Sequence, residues 1–267
     1  MSEGEDPNTA TASMRLLYTC KLREENLAEI VLVDGKQSLK ELYCLLPPPG
    51  YEEIKYAAAA ANWLSEGLQS ELPENVEANL SKLALAGHSR GGKTAFSLAL
   101  GYAKTTLGFS VLLGIDPVGG ITKECQIAPK ILTYVPRSFN LRIPVMVVGT
   151  GLGDEKRNCL LPPCAPDGVN HKEFFDECQP PCCYFVTRDY GHMDMLDDNP
   201  QGLLGKISDC RCKNGNGGRE PMRRAVGGLV VAFLEAYLEG DNGDLKAIID
   251  EPDIARVKLD PIEFIEA

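Results

Sequence analysis

An α/β fold with a mainly parallel sheet flanked by helices is what this sequence predicts, on three observations. Short apolar runs, each stopped by glycine, proline or a charge, alternate with stretches of helical spacing. Those runs lack in/out alternation, as expected of strands buried on both faces. One of them passes through a serine set among glycines directly into an Ala/Leu-rich stretch, in "LALAGHSRGGKTAFSLALG" (83–101). At 267 residues the chain suits one large domain, or at a stretch two small ones.

The elements run in order. Ala28–Val33 (AEIVLV) reads as an early strand. LPPPGYEE leads into a helix whose Ile54, Ala57, Ala58, Ala61, Leu64 and Leu68 recur at i, i+3, i+4 spacing, with Trp63 beside them. Leu83–Ala86 is the second strand, and residues 92–104 the second helix. Ser110–Ile115, Val145–Val148 and Cys183–Thr187 are further strands. A third helix carries Val226, Leu229, Val230, Phe233, Leu234 and Tyr237 and stops at Gly240. After Gly243 a short helix is followed by a Pro-broken acidic end. The stretches 151–181 and 193–220 are long loops rich in Pro, Gly, Cys and charge, a length that in compact domains often signals a functional lid.

Composition narrows the function. Hydrophobic residues make up 44%, ordinary for a globular protein. A formal charge of −11 argues against binding nucleic acid by counterion release. No apolar run approaches a membrane span. The opening MSEGEDPNTATASMR has no apolar signal region, and its acidic residues suit a transit peptide poorly, so no targeting address is visible. The ten cysteines allow three readings: free or redox-responsive thiols, one or two disulfides, or a zinc site. Zinc would use Cys178, Cys182, Cys210 and Cys212, but their C-x3-C and C-x-C spacings do not match a paired knuckle.

The serine carries the chemistry. A strand turning sharply into a helix at Ser89 holds that residue in a strained conformation, and side chains two before and two after would collide unless they were Gly87 and Gly91. The expected product is an exposed hydroxyl at a helix N-terminus, where the Arg90 backbone N–H and the helix dipole favour a developing oxyanion. G-x-S-x-G also occurs in structural Gly-rich turns. The strand before it and the helix after it favour a nucleophile.

Such a serine needs a base and an acid that orients the base. The chain has three histidines. His88 adjoins the nucleophile and points away from its oxygen, so it reads as support for the turn. His171 reads as a surface or lid residue. His192, in "VTRDYGHMDML" just past the last parallel strand, is the expected base. Asp116 and Asp154 both follow strand ends and compete as the acid. Position alone slightly favours Asp154. Asp194, two residues past the base, reads as a loop cap.

Together GHSRGG, the GIDPVGG segment (Gly114–Gly120), LPPCAPDGVNHKEFF, DYGHMDMLDD and CRCKNGNGGREPMRR resemble the plant chlorophyllases, from about Leu42 to Gly243. The resemblance implies an α/β-hydrolase fold and cleavage of the ester joining chlorophyll's propionate to phytol, in chlorophyll catabolism, with no metal or organic cofactor. It implies Ser89, Asp116 and His192 as the triad, which favours Asp116 over Asp154. Chlorophyll or a related phytyl-ester pigment is then the partner, met by peripheral contact with pigment-bearing membranes. A chloroplast setting follows from the family, the cytosol being the alternative.

The first 41 residues do not resemble the family. Its members carry several strands before the PPPG segment, one of them ending in a His-Gly that supplies the second oxyanion donor. The expectation is therefore a sheet lacking its usual first strands and an atypical segment at 1–41. A hydrolase domain at 42–243 and an acidic tail at 244–267 complete the chain. Impaired activity is the consequence, unless Ala28–Val33 substitutes for a missing strand. A general carboxylesterase or lipase, and a pigment-binding remnant without turnover, are the competing functions.

Overall fold

The computed structural model describes residues 19–22, 26–34, 50–159, 161–198 and 211–266. Among the described residues the sheet has seven strands in sequence order. They are β1 (Thr19–Leu22), β2 (Asn26–Asp34), β3 (Leu83–His88), β4 (Val111–Ile115), β5 (Val145–Thr150), β6 (Cys182–Thr187) and β7 (Leu259–Ile265). β2 to β6 are mutually parallel, while β1 and β7 pair antiparallel at the two edges. The expected strand at Ala28–Val33 lies within β2, hydrogen-bonded alongside β3.

Successive residues of a strand face opposite sides, and here both sides are covered. Leu83, Leu85, Leu112, Val145, Val147 and Tyr184 enter one core, with helices α1 (Gly50–Glu71), α2 (Arg90–Ala99) and α3 (His171–Glu177). Ala84, Ala86, Leu113, Met146, Val148 and Phe185 enter the other, against α4 (Arg219–Leu234) and α5 (Gly243–Asp250). That two-sided burial explains why the strands show no alternation in sequence.

Three boundaries differ from the sequence reading. The second helix ends at Ala99 rather than at 104, because Gly101 turns to φ 85° and closes it. The third begins at Arg219 and continues through a π turn (Glu235–Glu239) to Gly240, which takes φ 78°. The Pro-broken acidic end forms β7. Its exposed edge position lets Pro261 join a sheet without costing a ladder hydrogen bond.

The cysteines divide between two of the expected states. Cys164 is disulfide-bonded to Cys212, and Cys125 is also disulfide-bonded. Cys178, Cys182 and Cys183 are buried free thiols. The disulfide withdraws Cys212 from the zinc arrangement, and Cys20, Cys44 and Cys210 lie outside the described side chains.

Candidate active site

Ser89 leaves β3 at φ 57° and ψ −126° and starts α2. Its hydroxyl does not cap that helix. The corner forms because nothing larger than hydrogen fits inside it: a Cβ on Gly87 would overlap the Gly91 carbonyl oxygen. Below the corner Lys93 is buried in α2, its Nζ donating to the Ala128 carbonyl at 2.9 Å. Burial pushes the Lys93 pKa down to about 7. The Arg90 side chain, also buried, donates from Nε to Glu53 at 2.8 Å and ties α2 to α1.

His192 follows β6 on a loop that Gly191 makes possible, since a Cβ there would overlap the Lys213 carbonyl oxygen. Asp194 clamps this loop. Its carboxylate accepts from the backbone N–H of Gly191 at 2.8 Å and of Gly215 at 2.7 Å, the cap the sequence suggests. Its other oxygen is 3.4 Å from Arg219 Nε. The Cys164–Cys212 disulfide joins the same neighbourhood to the 151–181 stretch.

These loops bring three side chains together. His192 Nε2 is 2.8 Å from Ser89 Oγ, and His192 Nδ1 is 2.7 Å from Asp116 Oδ2. Thr150, at the end of β5, donates its hydroxyl to the same Asp116 oxygen at 2.7 Å. Asp116 is 0% exposed. Burial pushes its carboxyl up, but the hydrogen bond and electrostatic pull of the His192 ring, then the pull of the His171 ring and the Thr150 hydroxyl, outweigh this and hold it below the usual carboxylate value. Asp154 is partly exposed, 3.7 Å from Lys172 Nζ. The imidazole thus faces Asp116.

Three expectations need correction. The serine is not bare: it is 5% exposed, because the buried His192 ring (2% exposed) lies against its oxygen. His171 is not a surface or lid residue. It is 3% exposed, the first residue of α3, and folded against β5 and β6. Its Nδ1 is 2.6 Å from the Tyr184 hydroxyl and its Nε2 is 3.8 Å from Asp116 Oδ1. His88 reaches beyond its own turn: its Nε2 lies 3.1 Å from the His192 carbonyl oxygen, and the two rings are 4.7 Å apart. Burial, and next the neighbouring His192, push the His88 pKa down to about 3, so His88 is neutral and donates that hydrogen bond. The sequence reading also missed Thr150 and Tyr184. Thr150 had a signal in its place at a strand's C-terminal end, whereas Tyr184 had none. The region expected to lack a second oxyanion donor includes residues 35–49, which lie outside the described residues.

A family model described as Chlorophyllase matches residues 39–266. The chain belongs to the chlorophyllase family. The match runs from before α1 through β7 and so includes every side chain of the site. Among chlorophyllases the chain is 56% identical over 214 residues to Chlorophyllase-2 of Arabidopsis thaliana, covering 79% of this chain and 67% of that one. It is 50% identical to Chlorophyllase-1 of the same plant, over 85% of this chain and 70% of the relative. A third relative, named "Chlorophyllase-1, chloroplastic", from Citrus unshiu, is 49% identical over 85% of this chain and 67% of its own.

Proposed function

We propose that this protein hydrolyses the phytyl ester of chlorophyll to chlorophyllide and phytol, with Ser89 as nucleophile, His192 as general base and then acid, and Asp116 as the acid that orients it. The observation that carries the roles is the unbroken chain of hydrogen bonds, 2.8 Å from Ser89 Oγ to His192 and 2.7 Å from His192 to Asp116. Family membership supplies the choice of ester, which no triad makes by itself.

With its proton on Nδ1, held by Asp116, His192 presents a lone pair to the Ser89 hydroxyl. As Oγ attacks the propionyl carbonyl carbon, its proton passes to Nε2, and negative charge moves to the carbonyl oxygen. The Arg90 backbone N–H, at the positive end of α2, is the donor proposed for that oxygen. Collapse breaks the bond to phytol, whose oxygen takes the proton from His192 and leaves an acyl-serine. Water then gives a proton to His192 and attacks the same carbon. Release of chlorophyllide returns the proton to Oγ. Each step is an acyl or proton transfer between named groups, and the route calls for no cofactor.

Two further parts of the reading concern place. No helix among the described residues is long and apolar enough to cross a membrane, so peripheral contact is the mode proposed for reaching a membrane-borne pigment. The Citrus relatives named chloroplastic support a plastid setting.

The test is paired. A fluorophosphonate probe should label Ser89, and the protein should cleave chlorophyll faster than a p-nitrophenyl ester. Labelling with the opposite preference would make it a general carboxylesterase. Pigment binding without labelling would make it a remnant that holds chlorophyll and does not turn it over.

A further inference from the structure

The buried carboxylate of Asp116 is served unevenly. Oδ2 accepts two hydrogen bonds, from His192 and Thr150, whereas Oδ1 is buried with no hydrogen-bond partner among the described residues. A buried, unsatisfied carboxylate oxygen is costly. Across from it stands His171 Nε2, at 3.8 Å.

The surroundings of His171 are built around its ring. Gly149 of β5 has no side chain at the one place where a Cβ would overlap the imidazole. Asn170 caps α3 in a reciprocal box with Glu173 and so fixes the turn on which His171 sits. Tyr184 and Asp116 together select the tautomer. Burial raises its hydroxyl pKa, so it stays protonated and can donate to Nδ1 across 2.6 Å. The remaining ring proton is then on Nε2, the nitrogen that faces Asp116 Oδ1. The opposite tautomer would set a nitrogen lone pair against the carboxylate.

We infer that His171 is a positioning residue: a neutral imidazole whose Nε2–H is aimed at Asp116 Oδ1, holding the carboxylate plane so that His192 keeps its proton on Nδ1. This rests on the triad proposed above. The gap of 3.8 Å exceeds a hydrogen bond by about 1 Å, and the contact tightens as charge develops on the His192 ring. When His192 becomes imidazolium, the dipole of His171 keeps Oδ2 on Nδ1. The other groups facing this pair are the Thr150 hydroxyl and backbone, Lys172, Asp154, Tyr184, and His88 against the His192 ring.

Two substitutions separate the ends of the ring. His171→Asn can keep a partner for Tyr184 but loses the donor toward Asp116, while His171→Gln can place an amide near the Nε2 position. His171→Asn should lower kcat roughly 10–100-fold, the size typical of a lost outer hydrogen-bond partner, with KM unchanged. The acid limb of its kcat/KM profile should move to higher pH, because a carboxylate stripped of that dipole holds the His192 proton more tightly. His171→Gln should recover most of the turnover and the original limb. Tyr184→Phe, which keeps the ring and frees the tautomer, should show a smaller shift of the same sign, and serves if His171→Asn does not fold. Wild-type kcat and limb in His171→Asn, or equal losses in both His171 variants with the limb unmoved, would overturn the inference, as would an unshifted profile in Tyr184→Phe. Wild-type protein that takes no fluorophosphonate would instead sink the triad itself, so the two failures are distinct.

Discussion

The corners at Ser89 and Asp116 are built alike, yet only one is conspicuous in the sequence. Each residue comes directly after a parallel strand, β3 or β4, and each has a positive φ, 57° and 43°. Each gives its backbone N–H to the next strand over, Ser89 to Ile115 at 3.0 Å and Asp116 to Val148 at 2.6 Å. Each has a glycine two residues earlier, and these two, Gly87 and Gly114, are register partners. The difference lies on the C-terminal side of each corner. After Ser89 the chain packs a helix against its own strand, which forces the glycine spacing that makes the motif readable. After Asp116 it runs into Pro117 and a loop, which leaves no such spacing. Strained backbone at the C-terminal ends of two neighbouring central strands thus aims two side chains at one imidazole, and a sequence motif records only the first.

The largest effects test whether the corners divide the chemistry as proposed. Ser89→Ala should abolish turnover, read by pigment-ester hydrolysis, with the melting temperature little changed. Asp116→Asn should cost about 10³–10⁴ in kcat, because an amide can hold the imidazole in the wrong tautomer. Asp154→Asn, which weakens the ion pair with Lys172 and leaves the hydrogen bonds of His192 and Asp116 in place, should stay within a few-fold of wild type. A larger loss at Asp154 than at Asp116 would reverse the assignment of the acid.

Next come the glycines beneath each corner. Gly87→Ala pushes a methyl into the rigid Gly91 carbonyl, whereas Gly114→Ala meets the edge of the Phe96 ring at 2.7 Å, and that ring can shift. Gly87→Ala should therefore destabilise by about 3 kcal/mol and Gly114→Ala by nearer 1 kcal/mol, the two ends of the range for overpacking. Chemical denaturation measures both. Equal losses would mean that the corners are equally rigid.

Much of the frame was legible because it depends on local pattern. The parallel strands and the first helix emerge from apolar runs and spacing, and the Ser89 corner from its glycines. The rest depends on contacts distant in sequence. The burial of His171 needs β5 to carry a glycine opposite it, and Tyr184 to come from β6. Nothing near residue 171 announces either. Asp154 and Asp116 both follow strands, and position alone slightly favours Asp154, the commoner site of the acid in such folds, because a linear reading does not show which carboxylate turns inward. The family resemblance pointed to Asp116, and the geometry around His192 points the same way. β7 was missed because its pairing with β6 overrides a proline and two acidic residues, Asp260 and Glu263, that locally disfavour a strand.

The last effect concerns a group that only one corner possesses. His88 precedes Ser89, where Ile115 precedes Asp116, and it donates to the His192 carbonyl while staying neutral down to about pH 3. In the unfolded chain a histidine takes up its proton near pH 6.5. Below that pH the unfolded state binds a proton that the folded ring refuses. The His88 contribution to stability is therefore complete above pH 6.5, falls as the pH drops, and is fully lost near pH 3. At pH 5 the linkage amounts to about 2 kcal/mol, an upper bound for a ring that is only partly buried. His171, whose pKa burial also lowers, acts with the same sign. His88→Gln can keep a donor for the His192 carbonyl and does not titrate. Melting temperatures at pH 7, 6 and 5 should fall less steeply in His88→Gln than in wild type, with the remaining slope owed to His171 and the carboxylates. Parallel slopes would show that His88 is protonated in the folded state, and its place as the neutral donor beneath the base would be lost.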